Sequence, residues 1–599
     1  MRLADFIADF LVENGVTDIF TVTGGGAMHL NDAFGSHQRL RCTYFHHEQA
    51  AAIAAEGYFK ASGRMPAVCV TTGPGGTNAL TGVLGAWLDF IPMLVISGQV
   101  KFECTLASVP GSGLRQLGDQ EFNIVDAVRA MTKRAEMVTE PLEIRRSLER
   151  ALAIARSGRP GPVWIDIPLN VQAAQVDLDA MPSLPDAEAV PSGPKAPSAS
   201  EVAAFLERLR ASKRPAIIGG SGVRMSGNAE LFPEFARTLN VPAMTAWNSH
   251  DLMEDEDPFY AGRPGTIGTR GGNYVFQDCD LLLVLGCRMN LRQIGYAWDE
   301  VAPHAFKVMV DIDEAETRIK TVRVDMPVIS DCGLFMKAVL AAGYRKEYGS
   351  GSGWLDWCRK ISRKYPAAAE ASRTDRLNPY AFFDGFLGDL PEGQTTVCSN
   401  GSACVIPFQT ARIKRGQRIF TNSGCASMGY GLPAAIGACR ALGERKVVCI
   451  EGDGSLQMNV QELATVARNR LPLKLIVINN EGYHSIRQTQ GNFFMGRYAG
   501  IDAASGLGFP DFKALATAYG LAYARVADMT EADGLAERLL ADDTPVLCEV
   551  LVDKAQPFSP KSASKLLPDG RMVSAPLDEM HPFLSEEEHS ANKYKEGRL

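Results

Sequence analysis

Apolar residues in this 599-residue chain fall into short β-branched runs separated by helical patterns, and one such unit anchors the rest. Val447 to Ile450 is an apolar run that enters Gly452-Asp453-Gly454; a helical pattern follows, and a second apolar run, Leu473 to Ile478, ends in Asn479-Asn480. This alternation predicts a strand, a helix and a second, parallel strand. Because such crossovers are right-handed, Asp453 and Asn480 should emerge on one sheet edge, at the carboxyl ends where α/β ligands bind.

The pattern repeats along the chain. Strands are predicted at 18–22, 40–44, 67–71, 93–97 and 162–167, with helices or glycine turns between them, so residues 1–172 should form a doubly wound parallel sheet. Residues 176–200, rich in Pro, Ala, Ser and Asp, read as a surface linker. A Rossmann-like unit over 200–345 shows strand runs at 215–218, 280–285 and 307–310, and a Gly/Ser stretch at 348–353 leads to a third domain, 376–553. The fold class is therefore α/β, with three doubly wound parallel-sheet domains. The first and third could be copies of one architecture, although no sequence repeat is visible. The polar tail, 554–599, is expected to drape over the surface or cover a site rather than build a fourth core.

Composition narrows the class. With 61 basic and 69 acidic residues, net charge -8 and no basic tract, nucleic acid and anionic membranes are excluded as partners. The thirteen cysteines show neither C-x-x-C pairs nor zinc spacing, which argues against a disulfide framework or a structural metal. Asp5, Asp9 and Glu13 among the apolar positions of the opening helix argue against a secretory or spanning segment, so a cytoplasmic enzyme is expected.

The chemistry begins at the first unit. Asp453 offers a carboxylate, Asn480 an amide oxygen and the Glu481-Gly482 turn a backbone carbonyl, a set that suits magnesium completing its shell with phosphate oxygens and water. The helix start after Ser455 favours the same anion. A lone Gly-Asp-Gly would be read as an ordinary nucleotide-binding turn; the Asn-Asn pair after the next strand argues otherwise.

Glu451 to Tyr483 resembles the thiamine diphosphate (ThDP) signature, GDG followed by NN, and Asn422 to Gly443 resembles the corresponding segment of acetohydroxyacid synthase-like ThDP enzymes. The resemblance implies that Met428 wedges beneath a bent cofactor and that the backbone of Ala426 and Met428 bonds its aminopyrimidine. It further implies that Gly401, Ser402, Gly452, Gly454, Ser455, Gly482 and Tyr483 bind the cofactor, with Asp453, Asn480 and Gly482 at the metal. Phe45 to Ala51 resembles the setting of the family's glutamate, so Glu48 would reach the pyrimidine of a cofactor held by another subunit. A homo-oligomer with interfacial active sites follows, dimer or tetramer being open. Gln120 would line the substrate side, Gly25 and Gly26 would supply amides nearby, and His484 is a candidate proton donor. Asp311 to Glu316 resembles an FAD-contacting segment, with Gly219-Gly220, Thr266 to Arg270 and Gly286 to Arg288 as further contacts. Related decarboxylases keep this domain without a flavin, so an empty domain is the alternative.

The implied reaction is loss of carbon dioxide from a 2-oxo acid donor, pyruvate, and transfer of the remaining two-carbon unit to a carbonyl acceptor. The carboxyl group of Glu48 would turn the pyrimidine amino group into an internal base. Three features depart from the biosynthetic acetohydroxyacid synthases. Arg487-Gln488-Thr489-Gln490 carries Thr489 where they carry tryptophan, which implies a roomier and more polar acceptor pocket. The Gln99–Gln120 segment is long, and the tail around Pro560 to Ser564 has no clear counterpart. These traits look like the carboligases of branched-chain sugar and polysaccharide pathways and imply an acceptor larger than pyruvate, such as a ketosugar. Acetolactate synthesis, plain decarboxylation and a non-catalytic homologue are the alternatives.

Overall fold

The computed structural model describes residues 1–186, 193–370, 376–566 and 569–596. The part of the linker at 187–192, Pro191 included, lies outside them.

Three parallel sheets organise the chain. The first holds β1 (Asp18–Thr21), β2 (Arg41–Tyr44), β3 (Ala67–Val70), β4 (Leu94–Gln99), β5 (Arg134–Met137) and β6 (Val163–Pro168) in the order β2-β1-β3-β4-β6-β5. The central sheet holds β7 (Pro215–Gly219), β8 (Ala243–Thr245), β9 (Leu281–Leu285), β10 (Phe306–Asp311) and β11 (Met326–Ile329) in the order β11-β10-β9-β7-β8. The third holds β12 (Thr395–Cys398), β13 (Arg418–Phe420), β14 (Val447–Gly452), β15 (Leu473–Asn479), β16 (Ala522–Val526) and β17 (Val546–Leu551) in the order β13-β12-β14-β15-β17-β16. Counted from its own first strand, the third sheet repeats the order of the first, so the two outer domains share one topology without a visible sequence repeat.

Central strands such as β3, β4, β6 and β9 are buried along their whole length, which is why they appear as unbroken apolar runs. β5, β8, β11, β12, β13, β16 and β17 escaped the sequence reading. Most are short; β5, β8, β11, β13 and β16 are edge strands, and β5, β11 and β16 are only partly buried.

The outer domains meet through two helices, Glu48–Ser62 and Gly431–Ala441. Both are rich in Ala and Gly and buried on nearly every face, and one apolar cluster runs from Phe20 and Val95 through Ala54 to Ala435 and Leu475. Small side chains let the backbones approach, and the burial compensates for the helix-weakening glycines.

The tail is anchored in the central domain. Lys561–Ser562 pairs with Met580–His581 and Ser564–Leu566 with Met572–Ser574, both antiparallel. Leu577 joins the core of the central domain with Tyr594 packed beside it, and Met580 is wholly buried. Trp357 Nε1 donates to the Asn592 carbonyl at 3.2 Å. A few apolar anchors in a polar stretch carry no periodicity, so composition alone hid this role. Among the described residues no helix is long and apolar enough to cross a membrane, and all thirteen cysteines are free, ten of them buried.

Candidate active site

β12, β13, β14 and β15 all end at the same edge of the third sheet, and the residues just beyond them form the site. Gly452 on β14 lies opposite Ile478 on β15, so Asp453 and Asn480 leave adjacent strands together. The Gly482 N–H donates to Asp453 Oδ2 at 2.9 Å and the Gly454 N–H to Oδ1 at 2.7 Å. Asn480 Nδ2 donates to Ser402 Oγ at 3.3 Å, while Asn480 Oδ1 is buried and accepts no hydrogen bond. Burial pushes the Asp453 carboxyl up to about 7, against the pull of the N–H groups of Gly482, Gly454 and Asn480.

A buried carboxylate beside an orphaned amide oxygen is a costly pair unless a cation completes it. Among the described residues no cluster of three or more His, Cys, Asp or Glu is placed to hold a metal. The donor set is thus one carboxylate, one amide oxygen and the backbone of the Gly482 turn, hard oxygens that leave room for water and phosphate. These residues fit magnesium.

The adjoining cradle is built from close backbone approaches. Ser455 Oγ lies 2.9 Å from Ser399 Oγ and accepts the Gly429 N–H at 2.8 Å. A Cβ on Gly454 would stand 2.2 Å from the Tyr483 ring, so only glycine fits there. Gly401, at φ +56, opens the Ser402–Thr410 helix beside Asn480. Met428 is half-buried and follows Ala426, which sits at φ +53. The Ala426 carbonyl accepts from Asn400 Nδ2 at 2.9 Å, and its N–H is turned toward Asn422 Oδ1 at 3.1 Å. Both backbone groups therefore already have partners within the chain, leaving only the carbonyl's second lone pair for a cofactor.

The first domain gathers its candidates at a different edge. Glu48 opens its helix, is buried, and accepts from Asn78 Nδ2 at 3.0 Å. A Cβ on Gly75 would lie 3.6 Å from Glu48 Oε1, and one on Gly73 would lie 2.2 Å from the Gln120 carbonyl, so the Gly73–Gly76 turn joins Glu48 to Gln120. The Gln120 side chain is exposed on a backbone at φ +61. Gly25 is exposed in the neighbouring turn, where Gly26 N–H donates to Thr71 Oγ1 at 3.0 Å. His484 lies beyond the metal turn, edge-on to Phe558, with Nε2 2.7 Å from Gln488 Nε2. Burial lowers it to about 4, so it stands uncharged at neutral pH.

Asp311 lines a cavity of about 520 Å³ between the central and first domains, with Gly220, Gly286, Arg288 and Arg159 around it and Ser423 of the third domain at its wall. Burial pushes its carboxyl up to about 6. Thr266 to Arg270 lies outside that lining: Ser562 N–H donates to the Thr266 carbonyl at 2.6 Å and Arg270 to the Met580 carbonyl at 3.0 Å, so this segment holds the tail instead. A glycine-bearing segment near a helix start gave the sequence no way to distinguish those two duties. Sequence reading also missed Asn400, Glu56, Lys60 and Asp89, whose meaning lies only in contacts between distant segments.

Comparison with known proteins follows the same division. The N-terminal, central and C-terminal domain profiles of thiamine pyrophosphate enzymes match residues 1–126, 202–339 and 399–550. The acetolactate synthase isozyme 2 large subunit of Escherichia coli (strain K12) is 32% identical over 97% of this chain and 100% of its own length. The acetolactate synthase large subunit of Lactococcus lactis is 30% identical over 93% of each chain, and acetolactate synthase 1 of Zea mays is 31% identical over 92% of this chain and 85% of its own. The protein belongs to the thiamine pyrophosphate-dependent enzymes, within their acetolactate synthase-like superfamily. Enzymes of this kind form C–C bonds, and this chain is one of them.

Proposed function

We propose that the chain is a magnesium- and ThDP-dependent carboligase that takes a 2-oxo acid, pyruvate, as donor and adds its two-carbon unit to a carbonyl acceptor larger than pyruvate. The observation that carries the magnesium and diphosphate reading is the orphaned Asn480 Oδ1 beside buried Asp453. When bound, ThDP supplies the nucleophilic carbon and the electron sink that a 2-oxo acid needs to lose carbon dioxide. Asp453, Asn480 and the Gly482 turn would hold the metal, Ser402 and Ser455 the diphosphate side, and Met428 the bend. Glu48 would keep a proton at the pyrimidine edge. His484, uncharged, would meet substrate as a hydrogen-bonding imidazole rather than as a cation.

Glu48 is proposed to act on a partner subunit's cofactor. Its hydrogen bond within the chain stays in its own domain, at Asn78. The same helix touches the cofactor loop of its own chain at Lys60, twelve residues or about 18 Å further on. Exposed Leu114, Leu117 and Phe122 near Gln120, and exposed Phe493, Phe494 and Met495 beyond the metal turn, are apolar surfaces that a second copy would cover. Residues lining the 520 Å³ cavity, where Gly220 and Gly286 keep backbone close and Arg159 pairs with Asp313 at 2.6 Å, support FAD as a structural occupant.

The acceptor reading rests on Thr489, exposed on the His484–Phe493 helix with its hydroxyl bonded to the Ser485 carbonyl at 3.1 Å. Acetolactate synthesis is the second reading, favoured by the names of the relatives. Incubation with pyruvate, ThDP and magnesium tests both. Little product until a ketosugar is added supports transfer to the sugar, acetolactate alone supports the second reading, and a sugar panel that yields no adduct overturns the first. Flavin absorbance in the purified protein tests the cavity's occupant.

A further inference from the structure

The first domain also grips the cofactor loop of its own chain through a buried ionic cluster. Glu56 and Lys60 lie one turn apart on the Glu48–Ser62 helix, with the Glu56 side chain wholly buried. Lys60 Nζ stands 2.7 Å from Glu56 Oε1, 2.7 Å from Asp89 Oδ2, and donates to the Thr421 carbonyl at 2.6 Å. Lys60 thus donates hydrogen bonds to Asp89 and Thr421, and Glu56 Oε1 stands within ion-pair distance. Glu56 Oε2 accepts from Asn422 Nδ2 at 2.9 Å, and Asp89 Oδ1 accepts the Gly424 N–H at 3.0 Å. Asn422 Oδ1 in turn accepts the N–H of Cys425 at 3.0 Å and of Ala426 at 3.1 Å.

All these restraints converge on one turn, Asn422 to Ala426, and that turn ends in the left-handed Ala426 two residues before Met428. A non-glycine residue holds such a conformation only where its surroundings impose it. Space is reserved for the cluster. A Cβ on Gly85 would stand 2.4 Å from Asn422 Nδ2 and 2.7 Å from Glu56 Oε2, and one on Gly424 would stand 2.6 Å from Asp89 Oδ1. Burial pushes the Glu56 carboxyl up, against the pull of Lys60, so the cluster carries a cost that a purely structural contact between apolar helices would avoid.

We infer that Glu56, Asp89 and Lys60 are positioning residues: through Asn422 and Gly424 they fix the turn that sets Ala426 and Met428 against the cofactor. One helix then serves two purposes, with Glu48 at its start and the loop clamp near its end. The inference rests on ThDP binding at this loop.

The test exchanges the polarity of one hydrogen bond. Asn422→Asp sets two carboxylates face to face, whereas Glu56→Gln combined with Asn422→Asp restores an amide–carboxylate bond with donor and acceptor reversed. ThDP affinity by calorimetry with magnesium, and exchange of the cofactor's C2 proton followed by NMR, are the readouts. Asn422→Asp should weaken ThDP by about tenfold and slow the exchange, and the double variant should recover most of both. Asn422→Ala, which keeps the Lys60 ion pairs but leaves buried Glu56 Oε2 without its donor, should weaken ThDP to a similar degree, with some loss of melting temperature in the ThDP-free protein. Unchanged affinity and exchange in Asn422→Ala and Asn422→Asp would overturn the inference. Absence of ThDP binding by the wild type would remove the reading beneath it.

Discussion

A methyl group placed on Gly437 would stand 1.8 Å from the carbonyl oxygen of Ala54. The helices that join the two outer domains therefore touch backbone to backbone, and Gly57 shows the same relation to the Ala434 carbonyl at 2.2 Å. This contact fixes where each domain's carboxyl edge lies relative to the other.

It also gives a prediction whose sign is diagnostic. Gly→Ala within a helix ordinarily stabilises, by about 0.5–1 kcal/mol. At Gly437 and Gly57 the added carbon meets backbone that cannot rotate away, so each Gly→Ala variant should instead lose about 1–3 kcal/mol. Thermal melts read the difference, and a raised melting temperature for Gly437→Ala would contradict the close contact.

Glu48→Gln should keep ThDP affinity close to wild type while lowering turnover by about 10²–10⁴-fold, the range of a lost acid–base group. If Glu48 serves a partner's cofactor, chains carrying Glu48→Gln and chains carrying Asp453→Asn should complement each other when coexpressed, because a mixed dimer holds one intact site. Equal inactivity of the mixture and of both parents would place Glu48 in the site of its own chain.

Asp453→Asn and Asn480→Ala each remove one hard oxygen ligand or its charge. Both should raise the magnesium needed for half-maximal ThDP binding, by roughly tenfold to a hundredfold for one lost charge-assisted contact. Chelation of magnesium should release ThDP from the wild type. Retention of ThDP in excess chelator would show that the metal does not anchor it.

Asp166 supplies the pH prediction. It is wholly buried within β6, accepts from Ser97 Oγ at 2.5 Å and Gln99 Nε2 at 3.2 Å, and burial pushes it from the usual 3.8 up to about 7. Its folded value is raised, so the folded state holds the extra proton between those limits. The stability this contributes is fully present below about pH 4 and is lost as pH rises through about 7, at most about 4 kcal/mol at 1.36 kcal/mol per unit. Asp166→Asn should flatten that slope in denaturant melts taken from pH 4 to 8. Parallel wild-type and variant curves would show that Asp166 stays ionised.

Local order along the chain made much of this legible. Strand-helix-strand alternation defined three parallel-sheet domains, and Asp453 and Asn480 could be paired because both follow apolar strands at fixed spacing on one edge. The opening helix and buried central strands such as β3, β4 and β9 were readable for the same reason: their periodicity reflects backbone geometry. Edge strands such as β5 were not, since half-burial leaves no continuous apolar run. The tail's anchors, Leu577 and Met580, were hidden because burial of two residues in a distant core leaves no local pattern.

The stretch around Asp453 thus pointed, by itself, to the thiamine diphosphate enzyme family, because its Gly-Asp-Gly and Asn-Asn elements lie close together in sequence. Tertiary structure alone decided what surrounds them. The lowered pKa of His484 comes from its burial and from nearby Arg487, the cavity beside Asp311 from domains facing each other, and the clamp on Asn422 from a helix some 360 residues earlier, Glu56 lying 366 positions away. Desolvation and charge pairing depend on what lies nearby in space, and the order of residues along a chain does not contain that distance.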